Sequence, residues 1–78
     1  MPVLRLFGPA REAAGASRDE IPGKSVGEVV KEASARYGEL FCALLPTCRL
    51  WVNGEPADPE TALSPDDEVA VLPPVSGG

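Results

Sequence analysis

Residues 25–38 read SVGEVVKEASARYG. Ser25 and Glu28 have the spacing of a capping box: the serine oxygen accepts the amide proton three residues on, and the glutamate reaches back to the serine amide. A helix therefore begins here. Val26, Val29, Val30, Ala33 and Tyr37 recur at helical spacing along one face, while Glu28, Lys31, Glu32 and Arg36 face water, with Glu32 and Arg36 able to pair one turn apart. Gly38 supplies a left-handed stop. A lone amphipathic helix must bury its apolar stripe against something, and its flanks on both sides read as strands.

Upstream, residues 3–7 alternate Leu4 and Leu6 on one face with Val3, Arg5 and Phe7 on the other, as a half-buried strand does. The stretch GPAREAAGAS, with Gly8, Pro9 and Gly15, is a loop or single helical turn leading to a polar strand near residues 18–21. Downstream, LFCALL at residues 40–45 is too short for periodicity to decide and stands as helix end or turn. Arg49–Val52 is a strand closed by the turn pair Asn53-Gly54, with a short return over residues 55–57. Asp58-Pro59 has the form of a cap and first position of one helical turn. Ser64-Pro65-Asp66-Asp67 makes a polar turn before a last strand, Glu68–Leu72. The order predicts an α+β domain with one main helix covering one face of a mixed sheet.

With 78 residues there is material for one core. Twelve acidic and seven basic residues give a net charge of −5 with no cationic run, which argues against nucleic acid and for a protein partner. The opening MPVLRLFG is too short an apolar run for a signal peptide, and no later stretch approaches a membrane span, so a cytoplasmic protein with no membrane partner is expected. Cys42 and Cys48 match no redox or zinc spacing and read as two reduced thiols in or near the core.

The chain has no histidine, which removes the usual base for a serine or cysteine nucleophile and the commonest metal ligand. No metal site is expected. The acidic runs Asp19-Glu20 and Asp66-Asp67-Glu68 read as solvated surface, and no glycine-rich phosphate loop is present. An autonomous enzyme is therefore not expected. Attention falls instead on the end, Pro73-Pro74-Val75-Ser76-Gly77-Gly78. Two prolines hold its root extended and keep it from pairing back into the sheet. Six residues at about 3.3–3.6 Å each reach some 20 Å, enough to enter another protein's active site. Ser76 and Gly77 would thread a narrow channel and deliver the carboxylate of Gly78. The chain thus divides into a domain, residues 1–72, and a flexible tail, residues 73–78.

At this point the sequence resembles a known family. The ending VLPPVSGG, with Leu63 and Asp67-Glu68-Val69 before it, is similar to the closing motif of molybdopterin-synthase small subunits, within the MoaD/ThiS sulfur-carrier family. Leu6-Phe7, Arg11-Glu12, Gly15, the helix start at residues 25–29 and Val52-Asn53-Gly54-Glu55 fall in the family's order, so the likeness covers nearly the whole chain. Asp66 and Leu72 depart from it, standing where glycine and an aromatic are frequent. The resemblance implies a ubiquitin-like β-grasp fold with a protruding Gly-Gly tail. It also implies a sulfur-donating, non-catalytic subunit whose Gly78 is adenylated and converted to a thiocarboxylate. ATP would be used by a ubiquitin-activating-like adenylyltransferase, with no cofactor bound by this chain. A sulfur donor protein would supply the sulfur. The large subunit of molybdopterin synthase would hold the catalytic residues, in a heterotetramer with large subunits at its centre. Carriers for thiamine or cysteine synthesis and ubiquitin-like modifiers share the fold and ending. Phe7, Leu72, Pro73, Pro74 and Val75 are the candidate partner-binding residues, with Phe7, Leu72 and Val75 forming an acid-rimmed apolar patch on the uncovered sheet face.

Overall fold

The computed structural model describes residues 1–73, so the expectations placed on Pro74, Val75, Ser76, Gly77 and Gly78 lie outside the described residues. Five strands form one mixed sheet: β1 (Val3–Leu6), β2 (Arg18–Glu20), β3 (Arg49–Val52), β4 (Glu55–Pro56) and β5 (Glu68–Leu72), in the spatial order β2-β1-β5-β3-β4. β5 is central, parallel to β1 and antiparallel to β3. The alternation read for β1 holds, since Leu4 and Leu6 are buried beside Val69 and Val71 of β5. Asn53 and Gly54, both at positive φ, close the β3–β4 hairpin as the turn pair predicted.

The inner face of the sheet is covered by three helices rather than one: α1 (Gly8–Ala14), α2 (Val26–Tyr37) and α3 (Glu39–Leu44), followed by a 3-10 turn at Leu45–Thr47. α2 is the main helix, and its predicted face is the right one: Val26, Val29 and Ala33 are fully buried, with Val30 and Tyr37 packed against the core. Ser25 Oγ accepts from Glu28 N at 3.2 Å, but the glutamate reaches Lys24 N, one residue beyond the expected serine amide. Val26 and Gly27 donate to the carbonyls of Thr61 and Pro59, so a loop distant in sequence completes the cap. Gly38 ends α2 with φ 98° and ψ −169°, outside the left-handed helical region that was expected, and at once begins α3.

The two short helices are the main departure from the sequence reading. In α1, Ala10 is sealed into the core and Ala13 and Ala14 pack on it, so a small-residue stripe too short to register as periodic still seats a helix on the sheet. In α3, Phe41 is fully buried and stands 5.2 Å from Tyr37, edge to face, while Leu40 beside it is 75% exposed. Cys48 packs against the core as expected, but Cys42 is exposed on α3, because the helix turns Phe41 inward and its neighbour outward.

Arg36 does not pair with Glu32. It crosses to β2, where its guanidinium donates to Asp19 Oδ2 at 3.1 Å and to Glu20 O at 3.2 Å, while Tyr37 OH donates to Asp19 Oδ2 at 2.6 Å. Asp19 is therefore no mere solvated surface acid. Leu6 N–H donating to Ser17 O and Ile21 N–H to Pro2 O show that the backbone groups of Glu20 face the open edge. Asp19 Oδ1 accepts the Glu20 N–H at 2.9 Å and Arg36 donates to the Glu20 carbonyl, so at this residue both outward backbone groups are already taken. At the other edge Pro56 has no amide proton to offer.

These hydrogen bonds, Tyr37 foremost, hold the Asp19 carboxyl below the usual carboxylate range. Desolvation and the Asp19 carboxylate together raise the Tyr37 phenol. A depressed carboxyl stabilises the fold above its unfolded pKa of about 3.9, and that contribution is lost as pH falls through the lower folded value. Tyr37→Phe should therefore melt lower than the wild type at pH 7, and the gap should narrow below about pH 4. Circular dichroism melts at both pH values read this, and a gap that widens with acid would refute the assignment.

Candidate functional site

The end of β5 and the outer face of the sheet define the site. Along β5, Val69 and Val71 point into the core, while Ala70 and Leu72 lie on the outer face. Register places Arg5 beside Ala70, Trp51 across from Ala70, Arg49 across from Leu72 and Pro56 across from Trp51. Phe7 continues from β1, 37% exposed, with the Arg5 guanidinium 5.6 Å above its ring. An apolar strip of Phe7, Leu72, Ala70 and Trp51 thus crosses the sheet where no helix covers it.

The structure brings Phe7 and Leu72 to this face as the sequence predicts, and Pro73 follows directly at its edge, half-buried. Val75, Pro74, Ser76, Gly77 and Gly78 lie outside the described residues. The rim departs from the expectation of acids. Arg5, Arg18 and Arg49 share the face with Glu20 and Glu68, because alternation along three strands sends these arginines outward in a chain that is acidic as a whole. The Arg5–Glu68 pair, 3.7 Å apart with both side chains over 40% exposed, contributes little to stability. Sequence reasoning missed Trp51 and Arg49. Their signal was available in the alternation of Arg49 and Trp51 with Leu50 and Val52, but only the pairing with β5 reveals which pair faces the helices.

The arrangement carries no catalytic constellation among the described residues. No trio of cysteine, aspartate or glutamate is placed to hold a metal ion there. The depression beside β3 and β4, lined by Cys48, Trp51, Pro56 and Asp58 among others, is an open cleft of about 340 Å³. Among the described residues no helix is long and apolar enough to cross a membrane. The described chain reaches Pro73 directly from the central strand β5, beside this face.

A mixed sheet with β5 between β1 and β3, packed on one main helix, is the ubiquitin-like β-grasp. Residues 4–78 match the ThiS family, and the chain belongs to it. Among solved structures it is similar to small archaeal modifier protein 1 from Methanosarcina acetivorans: 28% identity, 99% of this chain and 95% of that one covered, TM-score 0.87. It also resembles a chain in the complex of subunits 1 and 2 of molybdopterin-converting factor from Helicobacter pylori: 27% identity, 99% and 97% covered, TM-score 0.70. The Amycolatopsis orientalis BexX/CysO complex, at 20% identity, 100% coverage of both chains and TM-score 0.83, shares the fold. No curated protein matches the chain.

Proposed function

We propose that this chain is a sulfur carrier whose reactive group is the carboxylate of Gly78, and that it serves as the small subunit of molybdopterin synthase. One observation carries the reading: the ThiS-family match runs through residue 78, so it takes in the Gly-Gly ending as well as the domain. The choice of molybdopterin rests on the ending VLPPVSGG and on the 27% identity to a chain in the molybdopterin-converting factor complex.

The carboxylate, with a reference pKa of about 3.3–3.7, is ionised at neutral pH and can attack the α-phosphorus of ATP. Pyrophosphate leaves and an acyl adenylate forms, on an activating enzyme that supplies the nucleotide site. Sulfide-level sulfur then attacks the acyl carbon, AMP departs, and a thiocarboxylate remains. The outer face, with Phe7, Leu72 and Trp51, docks first this enzyme and then the large synthase subunit, whose active site receives Ser76, Gly77 and Gly78. Two such sulfurs in succession would complete the dithiolene of molybdopterin.

The decisive experiment combines the chain with an activating enzyme, ATP and a sulfur source. Its intact mass should rise by the oxygen-to-sulfur difference, localised to Gly78, and Cys42→Ser/Cys48→Ser should load as well as the wild type. Sulfur on either cysteine instead of Gly78 would sink the reading. A second reading, a protein modifier joined to lysines, is favoured by the 28% identity to small archaeal modifier protein 1. Both readings require Gly78 activation. They part at the acceptor: transfer of sulfur to the cyclic phosphate precursor supports the synthase role, and isopeptide adducts support the modifier.

A further inference from the structure

Arg5 on β1 and Arg18 on β2 stand directly opposite each other in the antiparallel register. The flanking residues Leu6 and Ser17 are joined through the backbone, Leu6 N–H donating to Ser17 O at 3.0 Å. The two arginines therefore form a non-hydrogen-bonded pair, the kind whose side chains approach most closely. Like charges so placed disfavour strand pairing. Of the three arginines on this face, only Arg5 has a carboxylate within reach, Glu68 at 3.7 Å; the exposed Arg18 and Arg49 have none among the described residues. Three of the chain's seven cations thus gather on the one sheet face that no helix covers.

The charges on that face are also sorted. Register aligns Glu20, Val3 and Glu68 in one row. The next row toward the end of β5 holds Arg18, Arg5, Ala70 and Trp51, and the one after it Leu72 and Arg49. Carboxylates lie level with the start of β5 and arginines nearer its end, with the apolar Ala70 and Leu72 flanked by Arg5 on one side and Arg49 on the other.

We infer that this face docks a protein whose surface sets carboxylates around an apolar patch, and that Arg18 and Arg49 select it. The chain has a net charge of −5, so a long polyanion is repelled by the molecule as a whole, whereas a partner's local carboxylates meet chiefly the arginines. Half-buried Leu72 and Trp51 supply the apolar centre that a protein interface needs, and the arginines its polar rim. The sorting of charge along β5 favours one orientation of such a partner over the reverse. The surface stands on its own geometry; naming the partner as the activating enzyme or the large synthase subunit rests on the sulfur-carrier reading.

The first measurement needs no partner. Arg18→Gln should raise the Tm of the free domain by about 2–4 °C, because it removes the like-charge pair, and should give no such rise in an Arg5→Gln background. The second follows association with the activating enzyme and with the large synthase subunit by stopped flow, comparing Arg18→Gln/Arg49→Gln with Lys24→Gln/Lys31→Gln. Each double variant removes two positive charges, but the exposed lysines lie before and on α2, outside the sheet. At low salt the arginine variant should associate about tenfold more slowly and the lysine variant within about twofold of the wild type, and the gap should close toward about 1 M salt. Third, amide shifts are followed during titration with a peptide of tryptophan between two pairs of glutamates, and with its lysine counterpart. Only the glutamate peptide should shift the residues of the face, and not in the arginine variant. A Tm that does not rise in Arg18→Gln, equal rates for the two double variants, or peptide shifts absent from the face overturn the inference. So does preferential binding of heparin or of phosphatidylserine vesicles, or wild-type self-association that Arg18→Gln/Arg49→Gln abolishes. Face shifts and a raised Tm in a chain that is never adenylated uphold the surface and reject the sulfur-carrier reading.

Discussion

Deleting Gly78, or adding one residue after it, is expected to abolish sulfur loading while leaving the thermal unfolding of the domain within about a degree of the wild type. The first effect follows from the chemistry. A carboxylate displaced by one residue, about 3.3–3.6 Å, lies outside attacking distance of a nucleotide held in a preformed site. The second follows from where the stability resides. Among the described residues the buried core runs from Leu4 to Val71, and terminal residues beyond a core contribute little packing. Mass spectrometry after incubation with the activating enzyme reads the first, and circular dichroism the second. Loading of the shortened chain would remove Gly78 from the mechanism. A drop of ten degrees or so would show that the ending is part of the packed structure.

Phe41→Ala is expected to cost about 3–5 kcal/mol, comparable with the whole net stability of about 3–5 kcal/mol typical of a domain this small, so that the variant is largely unfolded at 37 °C. Phe41 is fully buried and is the largest side chain in the core. It stacks edge to face on Tyr37, itself bound to Asp19, so its loss also loosens the join between α2 and β2. Leu40→Ala, on the same helix but 75% exposed, should change stability by no more than about 0.5 kcal/mol. Urea titrations of both variants measure the contrast. Similar stabilities would mean that α3 is not the lid on the core that its burial indicates.

The pair also marks the boundary of what the sequence could say. Capping chemistry and a twelve-residue run with a clear apolar face identified α2, and two-residue alternation identified β1, because those signals are local and repeat often enough to stand above chance. The ending, read by resemblance, pointed to Gly78. LFCALL offered less than two turns of pattern, and GPAREAA only alanines to bury, so neither run of residues carried enough periodicity to reveal α3 or α1. Both helices form because the inner face of the sheet needs covering beyond the length of α2, a requirement that exists only after the strands have paired.

The same holds for the charges. The sequence by itself determined an acidic α+β chain without histidine, with Phe7 and Leu72 on strands and Gly77-Gly78 after the last of them. Tertiary structure alone decided that Arg36 leaves Glu32 for Asp19 and Glu20. It likewise decided that three arginines rim the open face and that Trp51 joins Phe7 and Leu72 there. Each of these depends on which strand lies beside which and in what register, and register is set by long-range pairing that no local stretch of residues encodes.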